Sequence, residues 1–223
     1  MNLFCSDGIP EIHTDPAEVP GMYMVLGRVS ARIDDLAAEE HELIKGAHAS
    51  RQQAFAAGRR LARTALTHLG ISVRPILRNE RRPVWPEFVV GSISHTDHLA
   101  ASAVASSMQY RGIGVDVEKI SAVDERVASR VLDDDERRWI DELELPEWRT
   151  AMFSAKEAIY KATNPITDEF LGFRDVTLTI DEEALSFTAR TEDSNKAASL
   201  LASGRGYFHR IEGHWLTTYV IGA

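Results

Sequence analysis

The segment from Gly112 to Glu118, with the sequence GIGVDVE, constrains the fold of this 223-residue chain more than any other stretch. Its alternating pattern predicts a buried β-strand. Because residues i and i+2 of a strand point to the same face, Asp116 and Glu118 should lie side by side, with Val115 and Val117 on the opposite face. Adjacent carboxylates repel each other, and a hard divalent cation such as Mg²⁺ would stabilise them. The strand therefore predicts a metal site.

Length and composition indicate a folded protein without a membrane span. A chain of 223 residues suits one large domain or two of roughly 110 residues. The single cysteine, Cys5, excludes an intrachain disulfide and favours the reducing cytosol. The start of the chain, Met1 to His13, lacks the basic and apolar pattern of a signal peptide. We therefore expect a cytoplasmic protein.

Charge is unevenly distributed along the chain. Residues 1–112 hold 12 basic and 12 acidic residues, whereas residues 113–223 hold 13 and 22, which accounts for the net charge of −9. Within the neutral half, residues 45–82 carry nine basic residues and one acid, Glu80. The net charge argues against a nucleic-acid binder. A basic block followed by an acidic metal site fits a polyphosphate ligand, although the block could also be a solubilising surface.

Periodicity predicts a chain of mixed helices and strands with a boundary near residues 106–112. Ser50 and Gln53 fit a capping box, Gly70 fits a helix stop, and residues 70–87 are predicted to form a loop. The predicted helices are 34–47, 51–69, 123–145 and 147–163. The predicted strands are 22–26, 88–94, 100–105, 112–118, 176–180, 185–189, 207–211 and 215–221.

A second candidate site lies on the predicted helix after residue 147. At helical spacing Ser154, Glu157 and Lys161 share one stripe. Taken alone, this pattern favours an ordinary solvated Glu–Lys pair, worth about 0.3–0.5 kcal/mol. Combined with the acidic strand, Glu157 would supply a third carboxylate to the metal, and Lys161 would contact a phosphate.

A third candidate site is the end of a predicted strand at Ser94 and His95. Its hydroxyl and imidazole could bind an anion, or the two residues could simply end the strand. A Ser-His-Asp hydrolase fits poorly, because the sequence contains no Gly-x-Ser-x-Gly nucleophile elbow.

Several motifs follow one another over about residues 50–175. They are Arg51-x3-Phe55-x2-Gly58-Arg59, Arg81-x-Pro83-x-Trp85-Pro86 followed by Gly91–His95, Gly112–Glu118, Phe153–Lys161 and Phe170–Phe173. Their order is the one seen in the 4′-phosphopantetheinyl transferase family. The chain resembles the large, monomeric class that includes the surfactin-synthetase-activating enzymes, and within it the subgroup of enterobactin synthase component D.

The resemblance implies an α+β fold in which two similar α/β halves form a pseudo-dimer, with coenzyme A in the cleft between them. Residues 1–111 would form the N-terminal half, which faces the 3′-phosphate and adenine of coenzyme A. Residues 112–223 would form the metal-binding and catalytic half. The protein would be a monomer.

The resemblance also implies roles for individual residues. The metal, Mg²⁺ or alternatively Mn²⁺, would be held against the pyrophosphate by Asp116, Glu118 and Glu157. The other contacts to coenzyme A would come from Lys161, Ser94 and His95 at phosphates, Arg51 and Arg59 at the 3′-phosphate, and Arg81, Arg82 and Pro83 near the adenine. The phosphate partner among residues 78–82 is left open.

The implied activity is transfer of 4′-phosphopantetheine from coenzyme A to a serine of an apo acyl or peptidyl carrier protein, with release of 3′,5′-ADP. Glu157 would be the general base, directly or through a water, with Asp116 and Lys161 as further catalytic residues. The pathway would be siderophore, peptide or polyketide synthesis. Segments 119–150 and 163–173 are the candidate docking surface. The alternatives are a Mg²⁺-dependent nucleotide phosphohydrolase and a basic-patch nucleic-acid-binding module.

Overall fold

A computed structural model of the protein describes residues 2–5, 19–72, 75–191 and 196–223. The chain divides into two units, residues 1–110 together with 223, and residues 111–222. Most of the segment Met1 to His13, on which the signal-peptide prediction depends, lies outside the described residues. The roles predicted for the two halves stay predictions.

The first unit packs a 20-residue helix against a mostly antiparallel sheet. The sheet has the strand order β1-β2-β6-β5, in which only the pairing of β1 with β2 is parallel within the described residues. Its core includes Leu61 and Leu66 of the helix and Val104 of the sheet. The elements are β1 Asn2–Cys5, β2 Tyr23–Arg28, α1 Ala38–Glu42, α2 Ala49–His68, β3 Arg78–Asn79, β4 Arg82–Pro83, β5 Val89–His95 and β6 Leu99–Ser106.

The second unit also packs a 20-residue helix against a sheet, whose strand order is β7-β11-β10-β9-β8. Trp148, Phe208 and Trp215 pack together at ring-centroid distances of 5.3–5.9 Å in its core. The elements are β7 Tyr110–Lys119, α3 Glu125–Val131, α4 Asp134–Leu143, α5 Trp148–Thr167, a 3₁₀ turn Phe173–Asp175, β8 Thr177–Asp181, β9 Ser186–Arg190, α6 Lys196–Ser203, β10 Gly204–Ile211 and β11 His214–Gly222.

Each unit contains a buried glutamate that joins a short helix to the long one. In the first unit Glu40 is fully buried. Its Oε2 accepts hydrogen bonds from the backbone N–H of Ala37 at 3.0 Å and from Arg63 of α2 at 2.8 Å, and its Oε1 accepts one from the N–H of Ile76 at 2.8 Å. One carboxylate therefore caps α1, pairs with α2 and holds the segment that follows α2.

The corresponding glutamate of the second unit is Glu136. Its Oε2 accepts from the N–H of Asp133 at 3.0 Å and from Lys156 of α5 at 2.6 Å, and its Oε1 accepts from the N–H of Leu178 at 3.1 Å. The same three kinds of partner thus recur: a helix-capping N–H, a cation of the long helix, and a downstream backbone N–H. The α+β prediction is confirmed by the mixed helices and sheets, and this repeated arrangement is what two similar halves would share.

Most predicted elements are confirmed, with four corrections. The helix predicted at 34–47 is reduced to α1, because the backbone N–H groups of Leu43 and Ile44 bond to carbonyl oxygens three residues back and not four. The helix predicted at 123–145 is two helices, because Asp133 caps α4. Residue His48, and not Ser50, caps α2. The predicted loop 70–87 contains the paired strands β3 and β4.

One helix, α6, was not predicted, although Ala197, Leu200 and Leu201 form its buried stripe. Within the described residues, none of the helices combines the length and the apolar character that crossing a membrane requires.

Candidate active site in the second unit

Strand β7 lies directly against helix α5. A Cβ atom added to Gly114 would collide with the backbone carbonyl oxygen of Ala158, and one added to Gly112 would collide with that of Ala162. The two glycines therefore let the strand approach the helix backbone, which no larger residue would permit. They lie on the same face of the strand as Asp116 and Glu118, so this close approach sets where the acidic pair meets the helix.

Replacement of Gly114 by alanine should therefore lower the free energy of unfolding by about 1–3 kcal/mol, the usual cost of overpacking, or by more. The colliding atom is a backbone oxygen, which cannot rotate away as a side chain could. Urea unfolding measures the loss. Gly222→Ala is the matched control, since a Cβ there meets nothing within 4 Å. Equal stabilities of the two variants would contradict this account of the strand.

Asp116 and Lys161 form the centre of the site. Asp116 is 3% exposed, and its Oδ1 accepts a hydrogen bond from Lys161 Nζ at 2.7 Å. The same ammonium donates to the carbonyl oxygen of Val115 at 3.2 Å. The sequence predicts a phosphate as the partner of Lys161, whereas the structure pairs this lysine with the carboxylate. Ser154, predicted on the exposed stripe of the helix, is fully buried.

Glu118 and Glu157 are partly exposed carboxylates, and the charges of Asp116 and Lys161 affect the pKa of both. Burial raises the pKa of Glu118 to about 7, and the negative charges of Asp116 and Glu157 add to this effect while Lys161 opposes it. Burial also raises the pKa of Glu157, with Lys161 opposing and Asp116 adding. The lysine therefore neutralises the cluster only in part, and the site favours a further positive charge.

The chemistry of these residues fits a hard divalent cation. Asp116, Glu118 and Glu157 supply carboxylate oxygens, the ligands that Mg²⁺ prefers. Burial first, and the neighbouring negative charges second, raise the pKa values of Glu118 and Glu157, and a bound cation would stabilise the charged form of both. Within the described parts of the chain, the acidic and histidine side chains do not already form a group of three arranged around one point. The three carboxylates are thus chemically suitable ligands, but in the structure their oxygens do not converge on one position.

The predicted 3′-phosphate clamp lies on α2 in the first unit. Arg51 is exposed, whereas Arg59 is 5% exposed. Arg59 Nε donates to the carbonyl oxygen of Ile76 at 2.7 Å, and its guanidinium lies 4.3 Å from the ring centre of Phe55. Burial lowers the pKa of Arg59 to about 10, which leaves it a cation at neutral pH. Arg59 therefore also has structural contacts, and Arg51 is the more accessible of the two.

The other predicted coenzyme A contacts lie on β5 and on the β3–β4 hairpin. Ser94 is buried and His95 is exposed at the end of β5. Gly58 brings α2 against this strand, because a Cβ there would lie 2.7 Å from Ile93. Arg81 is exposed in the turn, and Arg82 and Pro83 form β4. The residues predicted to contact coenzyme A in the first unit therefore lie on α2, on β5, which packs against α2, and on the β3–β4 hairpin.

A surface pocket of about 410 Å³ is also present in the second unit, but the predicted site residues do not line it. Two of its aspartates already have structural roles, since Asp133 caps α4 and Asp175 accepts from the N–H of Gly172. The pocket is lined by Asp133, Asp134, Asp135, Arg174, Asp175, Thr177, Arg190 and Thr191.

The sequence patterns do not predict that Glu40 and Glu136 are buried and accept hydrogen bonds from three parts of their units. Asp133 and Glu136 do have the spacing of a capping box, a signal that could have marked Glu136 as inward-facing. The lysine that pairs with it, Lys156, precedes Glu157 in the motif, but the sequence alone predicts no role for it. Glu40 has Ala37 at the capping position and so carries no such signal.

Comparison with known proteins identifies the family. The model of the 4′-phosphopantetheinyl transferase N-terminal domain matches residues 39–105, and that of the 4′-phosphopantetheinyl transferase superfamily matches residues 112–219. The 4′-phosphopantetheinyl transferase PptT of Mycobacterium tuberculosis is 33% identical over 68% of this chain and 68% of its own length. The chain belongs to the 4′-phosphopantetheinyl transferase superfamily.

Other relatives from this superfamily match to a similar degree. The 4′-phosphopantetheinyl transferase Npt of Nocardia iowensis is 38% identical over 66% of both chains. Enterobactin synthase component D of Salmonella typhi is 36% identical over 55% of this chain and 52% of its own. These identities do not separate the subgroups, so the predicted subgroup stays a prediction.

Among solved structures, the holo-[acyl-carrier-protein] synthase of Thermotoga maritima matches 51% of this chain and 64% of its own, at 20% identity and a TM-score of 0.42. The chain spans about two thirds of the length of the transferases named above and about half of the enterobactin component.

Proposed function

We propose that this chain transfers the 4′-phosphopantetheine group of coenzyme A to a serine of an apo acyl or peptidyl carrier protein, with release of 3′,5′-ADP. The observation that carries the proposal is the Lys161–Asp116 pair beside Glu118 and Glu157, in a chain of this superfamily. A cation next to partly neutralised carboxylates suits a substrate that brings phosphates and a metal ion together.

Mg²⁺, with Mn²⁺ as the alternative, would be held by Asp116, Glu118 and Glu157. When bound, it supplies Lewis-acid stabilisation of the negative charge on the pyrophosphate. Lys161 would contact the same phosphates, which requires its ammonium to divide its hydrogen bonds between Asp116 and the ligand. An ammonium has three donors, so both contacts are chemically available to it.

Glu157 would accept the proton of the attacking serine hydroxyl, directly or through a water. Its raised pKa supports this role, because a general base works best when its pKa lies nearer the working pH than that of an ordinary glutamate. The serine oxygen then forms a bond to the β-phosphorus of coenzyme A as the bond from that phosphorus to the bridging oxygen breaks. The electron pair leaves with 3′,5′-ADP.

Coenzyme A would contact residues of the first unit through its 3′-phosphate and adenine. We propose Arg51 and Arg59 for the 3′-phosphate and Ser94 and His95 for the other phosphates. The turn residues Arg81, Arg82 and Pro83 would lie near the adenine. Arginine suits a phosphate, since one guanidinium group can donate two parallel hydrogen bonds to two phosphate oxygens.

The 3′-phosphate assignment predicts different effects for the two arginines. Arg51→Ala should raise KM for coenzyme A with little change in stability, because Arg51 is exposed. Arg59→Ala should raise KM and also lower stability, because it loses the bond to Ile76 and the contact with Phe55. Steady-state kinetics with coenzyme A and 3′-dephospho-coenzyme A measure this. If wild type uses both substrates equally well, neither arginine binds the 3′-phosphate.

The carrier protein would dock on α3 within the proposed segment 119–150. Arg126 and Arg130 are four residues apart on α3 and exposed, and neither has an ion pair with a described residue. Val123 N–H donates to Thr150 Oγ1, and Val131 accepts from Lys156, so α3 runs beside α5 towards Glu157. In a half with net charge −9, this arginine pair is a local basic surface suited to an acidic carrier.

Charge reversal tests this docking surface. The double variant Arg126→Glu/Arg130→Glu should lower kcat/KM for an acidic carrier protein mainly through KM, and the loss should shrink at high salt. The matched control is Arg137→Glu/Arg138→Glu on α4, whose arginines already pair with acids. An equal loss in both double variants would point to net charge instead of a docking surface.

Product analysis separates the transferase from its alternatives. With coenzyme A and Mg²⁺, the proposed enzyme should release 3′,5′-ADP only when an apo carrier protein is present. Release at the same rate without a carrier would favour the phosphohydrolase, which needs only water. The nucleic-acid-binding module has less support, because the net charge is −9. For the location we propose the cytoplasm, since the single cysteine suits a reducing compartment.

A further inference from the structure

Lys156 is a buried cation of the second unit, and its ammonium joins helix α5 to three neighbouring segments. Lys156 Nζ donates to the carbonyl oxygen of Val131 at 3.1 Å, to Glu136 Oε2 at 2.6 Å and to the carbonyl oxygen of Phe173 at 2.9 Å. These acceptors belong to the end of α3, to α4 and to the 3₁₀ turn. All three hydrogens of the ammonium are therefore used by separate parts of the fold.

The pair is almost completely removed from solvent. The side chains of Lys156 and Glu136 are 1% and 3% exposed. Burial lowers the pKa of Lys156 and raises that of Glu136, while the attraction between the two opposes both shifts. A buried ion pair of this kind often stabilises a fold no better than apolar residues of similar size, so a gain in stability does not by itself explain it.

The position of Lys156 on α5 suggests a geometric role. An α-helix turns by about 100° per residue. Around the helix axis, Glu157 is therefore about 100° from Lys156, and Lys161 is about 140° from Lys156. Ala158 and Ala162, which face the glycines of β7, lie about 220° from Lys156. The helix is thus held on two sides, by the ammonium and by the glycine contact, and the residues of the active site lie between these two contacts.

We propose that Lys156 is a positioning residue, which fixes the rotation of α5 about its axis and so directs Glu157 and Lys161 towards Asp116. This inference depends on the proposed function, because it concerns the same site. Lys156 itself acts through the helix, since its three hydrogen bonds go to oxygens of α3, α4 and the 3₁₀ turn and not to the acidic strand. A small rotation of α5 would move Glu157 and Lys161 together relative to the reacting atoms.

The competing explanation is that Lys156 only stabilises the fold. Two variants that share one substitution distinguish the explanations. Glu136→Gln removes the negative charge but leaves Lys156 with the carbonyl oxygens of Val131 and Phe173. Lys156→Met/Glu136→Gln also removes the ammonium. The double variant contains no unpaired buried charge, so it should keep more stability than Lys156→Met alone.

The positioning role predicts that activity does not follow stability. Glu136→Gln should keep kcat close to wild type, whereas the double variant should lose about 10- to 100-fold in kcat with little change in KM for coenzyme A. Tyr219→Phe is the control for general destabilisation, since it removes only the bond from the Tyr219 hydroxyl to the carbonyl oxygen of Leu201. If kcat of the double variant equals that of Glu136→Gln, the positioning role is wrong.

Hydrogen–deuterium exchange supplies a readout that does not require activity. In the double variant the amides of residues 154–161 should exchange faster than in Glu136→Gln, while those of β10 and β11 should be unchanged. Equal exchange in the two variants would overturn the proposal even if the protein is active. Wild-type protein that transfers nothing to any carrier would instead contradict the proposed function, and the exchange result would still decide the role of Lys156.

Discussion

Asp116→Ala should lower kcat/KM for carrier modification by more than about 100-fold, the scale expected for loss of an electrostatic catalytic group. Asp116 accepts the hydrogen bond of Lys161 and is almost fully buried next to two further carboxylates. Its removal takes away a proposed metal ligand and also releases the lysine from its position. The loss should therefore appear mainly in kcat, measured by intact-mass analysis of the carrier over time.

The matched control for Asp116→Ala is Asp135→Ala. Asp135 is a carboxylate whose side chain is 85% exposed and which pairs with Arg138 on the surface. Its replacement changes the net charge by the same amount, and we expect activity close to wild type. Titration with Mn²⁺, followed by electron paramagnetic resonance, should show weakened binding for Asp116→Ala alone. An Asp116→Ala protein that keeps most of its activity and its Mn²⁺ affinity would contradict the assignment of the site.

Lys156→Met should lower the free energy of unfolding by about 3–5 kcal/mol, the usual cost of removing one partner from a buried ion pair. The substitution leaves the Glu136 carboxylate buried without its cation, and it removes the donor to the carbonyl oxygens of Val131 and Phe173. Urea unfolding, monitored by tryptophan fluorescence, measures the change, since Trp139, Trp148 and Trp215 lie in the same unit.

The comparison for Lys156→Met is Arg138→Met, which breaks an ion pair of similar length in solvent. Arg138 and Asp135 are 2.7 Å apart, but their side chains are 64% and 85% exposed. Because solvent screens such a pair, its removal should have little effect on stability. If the two variants lose the same stability, the buried pair of Lys156 and Glu136 does not stabilise the fold more than an exposed ion pair does.

The elements that the sequence predicts well are those whose pattern is local. Helix α2 and strand β7 lie within two residues of their predicted bounds, because an apolar stripe and an alternating pattern report directly on burial. The break between α3 and α4 was missed, although Asp133 and Glu136 carry the spacing of a capping box. Hydrophobic periodicity continues across such a break, so periodicity alone does not reveal where one helix ends.

The candidate site shows the same division between local and long-range information. The alternation of β7 correctly places Asp116 and Glu118 on one face, and helical spacing places Glu157 near Lys161. The pairing of Lys161 with Asp116 was not predicted, because it joins residues 45 positions apart in the sequence. The buried position of Arg59 and the hub formed by Lys156 and Glu136 also depend on contacts between distant elements, which single-sequence patterns do not encode.

The most direct test of the central claim is the intact mass of an apo carrier protein after incubation with this protein, coenzyme A and Mg²⁺. A panel of acyl and peptidyl carrier domains tests the activity without assuming which pathway is served. We predict that at least one carrier gains the mass of one phosphopantetheine group, and that its Ser→Ala variant gains nothing. If no carrier gains this mass while the protein is folded, the proposed function is wrong.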